Sequence, residues 1–82
     1  MKIKLKLVPS TKNEWLGWFG DDLIKVRIKS SPDSSLEEDF FKFLKDDLGV
    51  NRETVEVKEF RNNILHLELP DIAWELFLTV VK

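Results

Sequence analysis

Leu23-Ile24-Lys25-Val26-Arg27-Ile28-Lys29 alternates apolar and polar residues without a break, and a period of two turns one side of an extended chain to a core and the other to water. Ile24, Val26 and Ile28 share one side, Lys25, Arg27 and Lys29 the other, and Ser30-Ser31-Pro32 ends the run. This is a half-buried strand with a cationic outer face. Upstream, Lys2-Ile3-Lys4-Leu5-Lys6-Leu7 repeats the pattern and stops at Pro9, which cannot donate to a ladder. The connection from Pro9 to Asp22 carries Trp15, Leu16, Trp18 and Phe19. It exceeds the roughly 12 residues beyond which structureless loops become uncommon, so it has to pack on something.

Downstream, Ser34 or Ser35 can cap a helix, with Glu37 or Glu38 three positions on, and Asp33, Glu37, Glu38 and Asp39 sit at the positive end of its dipole. Leu36, Phe40, Phe43, Leu44 and Leu48, with Phe41 at the edge, form one stripe at helical spacing, and Gly49 supplies a left-handed stop. The spacing predicts a helix over 35–48. Thr54 to Lys58 alternates, Arg61-Asn62-Asn63 has turn chemistry, and Ile64 to Leu69 alternates back, which predicts a hairpin. Pro70-Asp71 suits a helix start, and Ile72, Ala73, Leu76, Phe77 and Val80 form its expected core stripe, with a strand as the alternative that the β-branched Thr79, Val80 and Val81 favour. The expected fold is an α+β two-layer sandwich in the order β-β-α-β-β-α, one four-stranded sheet with both helices on one face, forming a single domain over residues 1–82.

Composition bounds the function. The chain has 82 residues, 43% hydrophobic, with no Cys, and its 13 Lys+Arg against 15 Asp+Glu leave a formal charge of −2. Stability must therefore come from packed side chains rather than disulfides or thiolate metal sites. The opening Met1-Lys2-Ile3-Lys4 has no apolar signal core, and no apolar run approaches the roughly 18 residues of a membrane span, so a cytoplasmic protein without membrane attachment is expected. The lack of Cys and Gln beside abundant Lys and Glu suits a heat-adapted source.

The stretch Leu16-Gly17-Trp18-Phe19-Gly20-Asp21-Asp22-Leu23-Ile24-Lys25-Val26-Arg27-Ile28, followed by Ser31-Pro32, Phe43-Leu44, Leu48-Gly49-Val50 and Val55-Glu56-Val57, resembles the YggU-like family of small α/β proteins. The resemblance runs from about Leu5 to Val57, and Leu76-Phe77-Leu78 is similar to that family's last helix. It implies a four-stranded sheet with two helices and no established activity. Family members carry G-K-A-N entering the first helix and S-R-x-K before the last strand. This chain has Asp33-Ser34-Ser35-Leu36-Glu37 and Phe60-Arg61-Asn62-Asn63 there, so neither motif transfers.

Catalytic chemistry finds little support. With no Cys, no Tyr and one His, a Cys/His pair cannot form and a Ser/His/Asp triad would need His66. His66 with Glu68 two residues on reads either as an oriented general base or, more ordinarily, as a solvent-facing strand residue. Asp21-Asp22 and Asp46-Asp47 lack the glycine and terminal acid of a calcium loop, and Gly17-Trp18-Phe19-Gly20 lacks a phosphate-cradling pattern. No catalytic residue, cofactor or metal site is assigned.

Two surfaces stand out. If the two opening strands pair, Lys2, Lys4, Lys6, Lys25, Arg27 and Lys29 share the face opposite the helices, while Glu37, Glu38, Asp39, Asp46 and Asp47 lie on the first helix. That face is either a site for nucleic acid or another anion, or an ordinary solvated face, since no aromatic residue interleaves with its lysines in these strands. The second surface is a surplus stripe on the last helix, Trp74, Leu78 and Val81, which needs cover. Trp15, Trp18 and Phe19 of the long connection would supply it, or the same helix of a second copy would. The expectation is a non-enzymatic binding or interaction module with an unassigned ligand, with nucleic-acid or anion binding on the basic face as the alternative. A protein partner or homodimer through Trp74, Leu78, Val81, Trp15 and Trp18 accompanies it.

Overall fold

Strand-forming alternation at the two opening segments builds the middle of a mixed sheet. The computed structural model describes residues 1–20 and 22–81. In chain order its elements are β1 (Lys2–Ser10), β2 (Glu14–Phe19), β3 (Leu23–Lys29), α1 (Leu36–Leu48), a 3-10 turn (Arg52–Thr54), β4 (Glu56–Arg61), β5 (Ile64–Glu68) and α2 (Asp71–Val80). The strands lie in the order β2-β3-β1-β5-β4. β1 and β3 run parallel; every other neighbouring pair is antiparallel.

The sheet thus has five strands, not the four expected. The long connection holds a strand of its own: the chain leaves β1 at Ser10, turns through Thr11, Lys12 and Asn13 past the end of β3, and returns along the outer side of β3 as β2. Asn13 holds the crossing by accepting the Lys29 N–H at 2.7 Å. The alternation of β2 is hidden by a bulge between Trp15 and Gly17, whose extra residue puts Trp15 and Trp18 on the same face although they are three apart. Gly17 carries φ 104°, a conformation that favours glycine. β1 and β3 are therefore neighbours as expected, but parallel, because β2 intervenes in sequence and lies outside them in space.

α1 starts where its cap demands. The Ser35 hydroxyl accepts the Glu38 N–H at 3.1 Å, and Gly49, at φ 70°, donates to the Lys45 carbonyl at 2.9 Å. Phe40, Phe41 and Leu44 are buried, so Phe41 belongs to the core rather than its edge, where the Arg52 guanidinium covers its ring at 4.7 Å. The β4–β5 turn is Asn62-Asn63, both with positive φ, the backbone that matches strand twist in a two-residue hairpin. Thr54 ends the 3-10 turn instead of opening β4, and a second bulge lies between Val57 and Glu59.

Both helices feed one core. Leu5, Leu7, Ile24, Val26, Ile28, Leu65 and Leu67 meet Phe40, Leu44, Ala73 and Phe77 with almost no exposure. Each large side chain so buried contributes about 1.5–3 kcal/mol. The orientation of α2 differs from the expected one. Ile72 is 71% exposed and Leu76 is 37% exposed, while Ala73, Phe77 and the following Val81 are buried and Trp74 and Val80 half-buried. The cause is β2: Trp15 meets Phe77 edge to face at 5.3 Å and Trp18 meets Trp74 at 6.0 Å, which turns α2 toward that strand. The indole N–H of Trp15 donates to Asp47 at 2.9 Å, tying β2 to the end of α1 as well.

Candidate functional site

The sheet face away from the helices carries the six predicted cations. Pairing register sets them in rows across the strands: Phe19, Leu23, Lys4, His66 and Glu59 in one, and Gly17, Lys25, Lys6, Ile64 and Arg61 in the next. Glu14, Arg27 and Val8 form a third row, Ser10 and Lys29 a fourth at one end, and Lys2, Glu68 and Glu56 close the other end. Lys6 and Lys25 are thus direct neighbours, an arrangement that costs stability when like charges face each other.

Charge on this face is divided. Lys4 pairs with Asp22 at 3.1 Å and Arg27 with Glu14 at 3.1 Å. Among the described residues Lys2, Lys6, Lys25 and Lys29 have no carboxylate within ion-pair distance. Lys6 instead donates to the Asn62 carbonyl at 2.9 Å, and the Lys25 ammonium stands 3.8 Å from the centre of the Phe19 ring. The β5–β4 corner is the acidic part, with Glu56, Glu59 and Glu68. There Lys58 pairs with Glu56 at 2.9 Å and Arg61 with Glu59 at 3.5 Å. The Glu56 carboxylate, with Glu68 adding to it, holds Lys58 above the ordinary lysine value.

Phe19 is the residue that sequence reasoning missed on this face. It is 59% exposed and sits beside Lys25 of β3, whereas its place in the aromatic cluster had been expected to be over α2. The signal that would have found it is the bulge, because one extra residue between Trp15 and Trp18 sends Phe19 to the opposite side.

The second predicted surface is partly absorbed into the fold. Val81 is buried, Trp15 is half-buried between the two helices, and Trp74 is half-buried under Trp18. Leu78, Trp18 and Leu16 remain exposed, at 49%, 37% and 44%. His66 is half-buried on the open face between Lys4 and Glu59, in a depression of about 490 Å³ that Lys2, Asp22 and Lys58 also line. Among the described residues no hydrogen bond joins it to a serine or an aspartate, and no group of three or more His, Asp or Glu could hold a metal ion. Asp21, half of the Asp21-Asp22 pair, lies outside the described residues. No helix of the described chain is long and apolar enough to cross a membrane. No family model, no curated protein and no solved structure matches this chain.

Proposed function

We propose that this chain is a non-enzymatic binding module that takes the backbone of a single-stranded nucleic acid on the β3–β1 half of its open sheet face. The observation that carries this reading is the adjacent pair Lys6 and Lys25, flanked by Arg27 and Lys29 and bordered by the exposed ring of Phe19. Cations that lack carboxylate partners are free to replace the counterions of a phosphate chain, and an exposed ring beside them offers a base a stacking surface. The division of charge gives the strand a path along β3 and β1, since on the β4 side Lys58 and Arg61 are engaged by Glu56 and Glu59 and Glu68 adds a further acid. Kinship with the YggU-like family remains a proposal, carried by the Leu16 to Ile28 stretch.

Fluorescence anisotropy of a labelled single-stranded RNA tests it. Wild type should bind at low salt and lose affinity steeply as salt rises. Lys6→Glu with Lys25→Glu should abolish binding in a folded protein, whereas Lys58→Glu with Arg61→Glu, on the same face but at the acidic corner, should change it little. Equal losses in the two double variants would reduce the effect to net charge and overturn the assignment.

A further inference from the structure

The two edges of the sheet are unlike. β4 is guarded by Glu56, Lys58, Glu59 and Arg61 and by a bulge, the devices that keep an edge from pairing with another chain. β2 also has a bulge, between Trp15 and Gly17, but its one charged residue, Glu14, stands at its end. From Trp15 to Phe19 it carries no charge, and beside it Leu16, Trp18 and Leu78 leave apolar surface exposed. An edge strand without charge presents unpaired N–H and C=O groups to any strand of matching pattern.

The pattern that matches is its own. Reading outward from the Leu16-Gly17 bulge in either direction, β2 turns a tryptophan to the helix side, Trp15 or Trp18, and then a residue to the open side, Glu14 or Phe19. The strand is therefore a palindrome of faces about its bulge. A second β2 laid antiparallel about a two-fold axis at that point sets Trp15 opposite the other copy's Trp18, helix side to helix side. It sets Glu14 opposite the other copy's Phe19, above which the Lys25 ammonium stands. Charge complementarity then occurs twice, a Glu14 carboxylate of each copy, which its own Arg27 and Lys12 already approach at 3.1 Å and 3.7 Å, meeting a Lys25 ammonium of the other.

We propose that β2 is the contact through which two copies of this chain associate, antiparallel across a two-fold axis, so that their two sheets become one. An axis perpendicular to the sheet keeps both open faces on the same side. The β3 cations of both copies then flank the axis, and the basic half-faces join into one. This inference does not depend on nucleic-acid binding, since the contact is made by β2 and the Lys25 ammonium beside it.

Sedimentation velocity over a range of protein concentration, without nucleic acid, tests it. Wild type should sediment as a dimer at the upper end. Leu16→Lys, at an exposed position, should give a monomer with unchanged circular dichroism, and Ile72→Lys, on the exposed side of α2, should leave the dimer intact. Glu14→Lys and Lys25→Glu should each weaken association by about tenfold, the worth of two exposed ion pairs, and the two together should restore it. A wild type that stays monomeric at the highest concentration overturns the proposal. So does a dimer that survives Leu16→Lys, or a double variant no stronger than the single ones.

Discussion

Lys6 and Lys25 stand side by side on adjacent strands with no carboxylate among the described residues to neutralise either, an arrangement that selection for stability alone would remove. Lys6→Thr relieves the repulsion and places a β-branched residue on a strand, at the loss of one exposed hydrogen bond to Asn62. Urea denaturation should show stability raised by a few tenths of a kcal/mol, to about 1 kcal/mol at most, while nucleic-acid affinity falls. Stability lost with affinity unchanged would make the pair structural. Asp39 is a second informative residue. Its carboxylate accepts the Ser34 hydroxyl at 2.5 Å and the Ser31 N–H at 3.0 Å, and these bonds hold it below the usual carboxylate range. A depressed folded value means the stabilisation is complete above the unfolded carboxylate value and disappears as pH falls through the folded one. Asp39→Asn should therefore lower the melting temperature at neutral pH and make no difference in strong acid. A deficit that persists in strong acid would show that lost packing, not lost charge, is responsible. The cap was readable in advance for a related reason: a serine followed three residues on by a glutamate specifies its own hydrogen bonds locally. Ser35→Ala should cost about 1 kcal/mol at constant denaturant slope.

At the scale of elements, α2 is held by rings. Phe77 is fully buried and meets Trp15, which also contacts Phe40 and Phe43 of α1. Phe77→Ala should cost about 3–5 kcal/mol, a large share of the roughly 4–12 kcal/mol available to 82 residues, and thermal unfolding should register it as a melting temperature lower by tens of degrees or as loss of the fold. Ile72→Ala, on a helix position with the same apolar character, should cost little because that side chain is 71% exposed. The contrast follows from what periodicity encodes. Helical spacing on α2 shows that apolar stripes exist, but which stripe is buried depends on a distant strand, and the aromatic pairs with β2 decide it. β2 was illegible for a different reason: strict alternation made β1 and β3 plain, whereas one bulge residue breaks the period and disguises a strand as a loop. Because the same bulge sends Phe19 to the open face, the aromatic part of the candidate site was hidden with it, while the six cations of β1 and β3 could be placed from the sequence.

Over the whole molecule a formal charge of −2 conceals a polarised arrangement. The acids of α1 lie behind the sheet, Glu56, Glu59 and Glu68 occupy one corner of its front, and the cations of β3 and β1 hold most of the rest, with Glu14 and Asp22 paired to two of them. Bulk charge therefore gives no warning of where the cations gather. Joining two copies at β2 would set two such faces side by side while engaging each Lys25 with the other copy's Glu14, which leaves Lys6 and Lys29 as the cations that both proposals hold free. The central claim is where the anion sits. The most direct measurement is an amide chemical-shift titration of the labelled protein with a short single-stranded RNA at low salt. The account predicts shifts concentrated at Lys6, Lys25, Arg27 and Phe19 that recede as salt is added. Shifts concentrated on α2 around Ile72 and Leu76, or none at low salt, would contradict it.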